Sequence, residues 1–256
     1  MRLLDDGTLY VAKFHDDGSG EWVPLVHGSG KLTAGNGFAD QADIMIRTRA
    51  AADAAGATKM DRPEWIAVHP GTNEVYCTLT NNSQRGAKDK PGTDKANPRT
   101  NNVFGQIIRW REAGNDPAGM KFEWDLFAVA GDPQHPEAAR HGNIKGDAYG
   151  SPDGLWFDDG GLLWIQTDVS ASTLNRNHYA RLGNNQMLAA DIRTGETRRF
   201  LTGPGGCEVT GVVMTPDART MFVNIQHPGE APKGRNDPQN PKAHSAWPDG
   251  MGGGRP

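Results

Sequence analysis

The chain has few cysteines, no long apolar run and no block of charge of one sign. Its 256 residues hold only Cys77 and Cys207, and neither lies in a CxxC or Cys/His spacing, so a zinc-finger reading has no support. No apolar stretch approaches the length that spans a bilayer. The opening residues, Met1 to Gly7, lack the apolar core of an export signal. Lys and Arg are scattered and the formal net charge is −4, which leaves nothing to draw nucleic acid or an anionic membrane surface. What the chain has in quantity is turn-formers, 33 Gly and 17 Pro, which suits short strands joined by many turns and argues against a helical bundle. The length suffices for a full core in one or two domains.

One pattern is written three times: an apolar strand, a tight turn and a second apolar strand. The copies start at Arg62-Pro63-Glu64-Trp65, at Ser151-Pro152-Asp153-Gly154 and at Cys207-Glu208-Val209-Thr210. Glu64 to Pro70, Asp153 to Asp159 and Thr210 to Pro216 each span six positions. The second strands, Val75 to Asn81, Leu162 to Asp168 and Met221 to His227, are set in register in the same way. Hairpin geometry brings the start of the first strand beside the end of the second. Glu64 is therefore expected near Asn81, Asp153 near Asp168, and Glu208 near His227. Such hairpins are the inner strand pairs of β-propeller blades, and blades around one axis aim these ends into one mouth. Carboxylates converging there are costly unless cations hold them, so the pattern points to a metal or a cationic ligand.

The rest of the chain fits around these hairpins. Leu9–Phe14 and Glu21–Val26, within a hairpin spanning 3 to 27, resemble the outer half of a blade whose inner half is absent. Residues 39 to 55 have helical spacing with Gly56 as a stop, so one inserted helix is expected. Gly105–Trp110 with Lys121–Val129, and Met187–Ile192 with Glu196–Leu201, complete the blades begun at Glu64 and Asp153. Residues 81–102 and 132–150 are long polar loops, a length usually reserved for function or disorder. The expected architecture is an all-β, partial six-bladed β-propeller of about three blades over residues 1–227. A Pro/Gly-rich, poorly ordered tail follows over 228–256.

The runs Arg62-Pro63-Glu64-Trp65, Ser151-Pro152-Asp153-Gly154-Leu155 and Leu163-Trp164-Ile165-Gln166-Thr167-Asp168 resemble the bacterial PhoX-type alkaline phosphatases. So do Gly206-Cys207-Glu208-Val209-Thr210-Gly211, Val223-Asn224-Ile225-Gln226-His227-Pro228-Gly229-Glu230 and Trp247-Pro248-Asp249-Gly250. The resemblance implies a six-bladed propeller in the periplasm or outside the cell that hydrolyses phosphomonoesters with calcium and iron. It implies Glu64, Asp168 and Glu208 as metal ligands and Arg62 as the contact to the substrate phosphate. Carboxylate oxygens suit calcium and ferric iron, and a guanidinium fork suits phosphate. The family's bridging cysteine, further acidic ligands and export signal have no counterpart in this chain. It is thus expected to be the C-terminal portion of such a protein, with an incomplete site and little activity alone, completed by the missing half or by self-association.

Blander roles compete for several of these residues. Asp153 before Gly154 reads as turn chemistry, Arg62 as a scaffold partner of Glu64, and His227 as a structural hydrogen-bonder. Cys77 is read as a small buried hydrophobe and Cys207 is left open. The tryptophans at 65, 110, 156 and 164 are expected to pack between blades. A lactonase-like propeller hydrolase and a non-catalytic calcium-binding propeller are the alternative functions.

Overall fold

The structure, a computed structural model, describes residues 7–249. The described residues are mostly β, with thirteen strands and two short α-helices. Among them no helix is long and apolar enough to cross a membrane. Of the sequence expectations, residues 3–6 of the first hairpin, Gly250 and the remainder of the tail lie outside the described residues. Two compact units emerge, and their division falls inside two of the strands.

The first unit holds the described residues to Met60, with Asp94–Ala96 and Trp110–Asp125. Strands β1 (Tyr10–Phe14) and β2 (Ser19–Pro24) form the expected hairpin. It is not a separate half-blade, because β2 pairs with the front of β6 (Lys121–Val129) through Ser19↔Glu123, Gly20↔Phe122 and Glu21↔Lys121. The long β6 offers a free ladder there, and β2 satisfies it. Gly20 permits the pairing: a Cβ on it would sit 2.0 Å from the Phe122 ring. Phe14, Trp22, Trp110, Phe122 and Trp124 then stack edge-on or tilted over this sheet.

Where one helix is expected there are two, α1 (Gln41–Ile46) and α2 (Thr48–Ala55). The chain leaves helical geometry at Arg47, with φ −102° and ψ 40°. Thr48 Oγ1 donates to the Met45 carbonyl at 2.6 Å, so a side chain takes an acceptor that a continuous helix would use. Left-handed Gly56 ends α2, as the sequence predicts, and Asp40 caps the start of α1. Ile44 and Ala51 bury their faces against Leu25, Leu32 and Phe38.

The second unit holds Asp61–Thr93, Asn97–Arg109 and the chain from Leu126 onward. Its first sheet runs β6-β5-β4-β3, with β3 (Pro63–Val68), β4 (Val75–Leu79) and β5 (Gln106–Glu112). Its second runs β7-β11-β10-β9-β8. These strands are β7 (Lys145–Gly146), β8 (Pro152–Phe157), β9 (Leu162–Thr167), β10 (Gln186–Asp191) and β11 (Glu196–Thr202). Strands β12 (Glu208–Met214) and β13 (Met221–Gln226) pair with each other. The pairings described are antiparallel except the short parallel contact of β7 with β11. Tyr76, Phe104, Ile107, Leu155, Leu163 and Ile165 share one buried core, and Trp164, Met187, Cys207 and Val209 form another. Trp110 and Trp164 are buried as expected, but Trp65 is half exposed, because β3 bulges between Pro63 and Ile66 and turns it out of the ladder.

The long loop after β4 is organised by a buried charge. Asp61 is fully buried and accepts from Arg85 Nε at 2.7 Å, from Asn82 at 2.9 Å and from Asn102 at 2.9 Å. Its own N–H donates to Asn97 Oδ1 at 2.9 Å. Every partner except Asp61 comes from the polar stretch 82–102, so a segment with no apolar period is fixed by hydrogen bonds to one carboxylate.

Candidate functional site

The three hairpins share one register, shifted by one residue from the count made on sequence. Val68 pairs with Val75, Phe157 with Leu163 and Met214 with Met221. The turn at Gly160-Gly161 is one residue shorter than the other two, so Asp168 stands level with Thr80 and Gln226 rather than with Asn81 and His227. At the opposite strand, Arg62, Ser151 and Glu208 occupy one equivalent position. The Arg62 carbonyl accepts from Thr80 N–H at 3.2 Å, and the Ser151 carbonyl from Asp168 N–H at 3.0 Å. Glu208 pairs directly with Gln226. Arg62 and Ser151, each before a proline, both have φ near 51°, a left-handed setting that non-glycine residues rarely take.

Two of the three expected pairs meet directly, Asp153 with Asp168 and Glu208 with His227, whereas Glu64 and Asn81 are joined through Arg62. Arg62 Nη1 donates to Asn81 Oδ1 at 2.9 Å, and Arg62 Nη2 lies 3.3 Å from Glu64 Oε1. His227 Nε2 lies 3.5 Å from Glu208 Oε2, and Gln226 donates to the same oxygen at 2.7 Å. Asp153, Asp168 and Glu208 each offer a carboxylate oxygen, all within 4.8 Å of one another. Of the residues singled out as ligands, Asp168 and Glu208 are in this group. Glu64 is outside it and paired with Arg62. Asp153, read from sequence as turn chemistry, completes it. The signal for Asp153 was its register with Glu64; the following glycine hid it. That glycine is needed for packing: a Cβ on Gly154 would stand 2.2 Å from Gln166 Oε1.

The electrostatics match the crowding. Burial, then the charges of Asp168 and Asp153, push the Glu208 carboxyl up to about 7. Burial, then Glu64 and Asp168, push Asp153 up to about 6, against a smaller opposing pull from Arg62. Asp168 is raised as well, chiefly by burial, with His227 and Arg62 working the other way. Three carboxylates so placed resist full ionisation unless a cation joins them. Both cysteines are buried, and burial pushes Cys77 up to about 12 and Cys207 up to about 11, so neither offers a thiolate at neutral pH. The donor set is thus all hard oxygen, which fits calcium and ferric iron and not a soft metal.

A second group, His135, Glu137 and His178, also gathers possible ligand atoms. His135 Nδ1 accepts the Glu137 N–H at 3.0 Å, so a neutral His135 carries its proton on Nε2, which faces His178 Nδ1 at 2.9 Å. Arg140 holds the Glu137 carboxylate at 2.9 Å. These groups satisfy one another and leave no free pair of nitrogens for a cation.

No curated protein matches the chain. A solved structure of Pseudomonas fluorescens PhoX in complex with vanadate, a transition state analogue, matches with a TM-score of 0.84 and 47% identity. The match covers 99% of this chain and 43% of that one, so the chain spans less than half the length of the PhoX it resembles. The family model for alkaline phosphatase PhoX matches residues 1–229, across all three hairpins and their carboxylates, and the chain therefore belongs to the PhoX alkaline phosphatase family.

Proposed function

We propose that this chain carries part of a metal-dependent phosphomonoesterase site. Asp153, Asp168 and Glu208 hold cations, Glu64 is a further ligand at the edge of the group, and Arg62 grips the substrate phosphate. The observation that carries the reading is the trio of carboxylate oxygens within 4.8 Å of one another in a chain of this family. Calcium and iron suit the all-oxygen donors, and when bound they supply positive charge that offsets a phosphate dianion. Arg62 adds a planar fork of donors, and its side chain is 57% exposed and so open to a ligand.

The remaining ligands come from polypeptide outside these 256 residues, a reading supported by the 43% coverage of the matched PhoX. The hairpins in common register, and the meander β8-β9-β10-β11, fit blades of one propeller. Periplasmic or extracellular residence belongs to the same reading, since family resemblance carries both.

The test uses the complete phosphatase that bears this chain. Chelation is expected to abolish hydrolysis of a simple aryl phosphate, and Glu208→Gln to lower both bound metal and turnover. Arg62→Ala is expected to keep its metal and lose affinity for phosphate. Full metal content and full rate in Glu208→Gln would sink the ligand assignment. Cleavage of a lactone with no phosphoester cleaved would replace the phosphatase reading altogether.

A further inference from the structure

Arg62 is the first member of a hydrogen-bonded chain whose direction is fixed from its far end. The Val103 carbonyl can only accept, so the single proton of the Tyr179 hydroxyl points to it. Tyr179 Oη therefore accepts from the Ser151 hydroxyl at 2.6 Å. With that proton committed, Ser151 Oγ accepts from Asn81 Nδ2 at 3.2 Å. The Asn81 amide is thereby oriented, and its Oδ1 is the acceptor of Arg62 Nη1 at 2.9 Å. Along the chain each group donates one bond toward the backbone, and such head-to-tail chains polarise and stiffen one another.

The far end of the chain is rooted in the core. Ser151 and Tyr179 are buried, and the Tyr179 ring packs edge-on against Phe104 with centroids 5.1 Å apart. The near end is an exposed arginine whose other anchor is the ion pair with Glu64. An arginine free to sample rotamers loses that freedom on gripping an anion, which weakens binding. One held in place beforehand does not.

We infer that Asn81, Ser151 and Tyr179 are positioning residues for Arg62, holding its guanidinium ready for a phosphate beside the carboxylates. The inference rests on the reading of Arg62 as the phosphate-binding arginine. It also explains the equivalence of Arg62 and Ser151: one copy of the repeated position meets the ligand, and the other supports it from the neighbouring hairpin.

In the complete phosphatase, inorganic phosphate serves as the probe, its affinity read as the inhibition constant against an aryl phosphate, with bound metal measured alongside. Asn81→Ala is expected to weaken phosphate about tenfold, as loss of one hydrogen bond to a charged group does. Tyr179→Phe, which keeps the ring against Phe104, is expected to weaken it about threefold. Metal content should stay unchanged in both. The double variant Arg62→Ala/Asn81→Ala should bind phosphate no more weakly than Arg62→Ala alone, because Asn81 acts through Arg62. An Asn81→Ala loss that persists in the Arg62→Ala background, or affinity unchanged in both Asn81→Ala and Tyr179→Phe, would overturn the inference while leaving Arg62 in its role. Unchanged affinity in Arg62→Ala would overturn that role and the inference together.

Discussion

Glu208 is held by Gln226 at 2.7 Å with His227 3.5 Å away, yet its carboxyl is pushed up to about 7 because Asp168 and Asp153 crowd it in a buried place. Asp153 is pushed up to about 6 for the same reasons, with Glu64 adding to the repulsion. Both folded-state values lie above those of free carboxyls, so the folded form holds these protons more tightly than the unfolded chain. The stability this contributes is complete below about pH 4 and is lost as pH rises through about 6 and then 7. Metal-free protein should therefore melt at a higher temperature at pH 5 than at pH 8. Calcium should restore stability at pH 8 and do little at pH 5, where protons occupy the ligands. Thermal scans with chelator and with calcium test this, and Glu208→Gln should flatten the pH slope of the metal-free protein. A metal-free melting temperature that climbs from pH 5 to pH 8, and climbs as steeply in Glu208→Gln, would show that these carboxylates do not crowd one another. In the sequence, Asp168 and Glu208 were visible because strand ends repeat. Tyr179 was not, since it reaches Ser151 from a loop with no period to place it.

At the scale of elements, the strands were legible and their exact opposition was not. Alternating apolar residues and turn-formers mark β8 and β9 almost to the residue. The one-residue shift of Asp168 against Asn81 and His227 depends on the length of a glycine turn, to which an apolar pattern is blind. The break at Arg47 was hidden for a similar reason: the alanine-rich spacing favours one helix, and a single Thr48 hydroxyl on the Met45 carbonyl decides for two. The loop 81–102 showed no order in sequence because its order comes from Asp61, a residue outside it. That dependence is testable. Arg85→Met keeps the length of the side chain and removes the cation from a fully buried carboxylate, a change that costs about 3–5 kcal/mol. Urea unfolding of the complete protein should show that loss, together with faster proteolysis within 82–102. A loss below about 1 kcal/mol would mean that Asn82 and Asn102 alone satisfy Asp61 and that the ion pair is dispensable.

At the scale of the whole molecule, the chain spans 43% of the PhoX chain it matches. The second unit exposes apolar side chains on its strands: Ile66 and Val68 on β3, Phe222 on β13 and Val213 on β12 each have more than half their surface in water. Among the described residues, strands β12 and β13 pair only with each other, and a lone hairpin is marginal unless something packs on it. Their buried side is covered by Trp164 and Met187, but the outward side is not. Apolar strand faces open to water drive association until they are covered. The 256 residues expressed alone should thus sediment as concentration-dependent oligomers, and on the proposed reading, in which these carboxylates are only part of the ligand set, should show little phosphatase turnover. Adding the rest of a PhoX polypeptide should remove the self-association and raise metal content and turnover together, since the same contacts would cover β3 and β12–β13 and complete the site. Sedimentation velocity with metal analysis reads both. A monomer at every concentration that hydrolyses an aryl phosphate at full rate would show that the site and the fold are sufficient in these residues, and that the exposed strands need no cover.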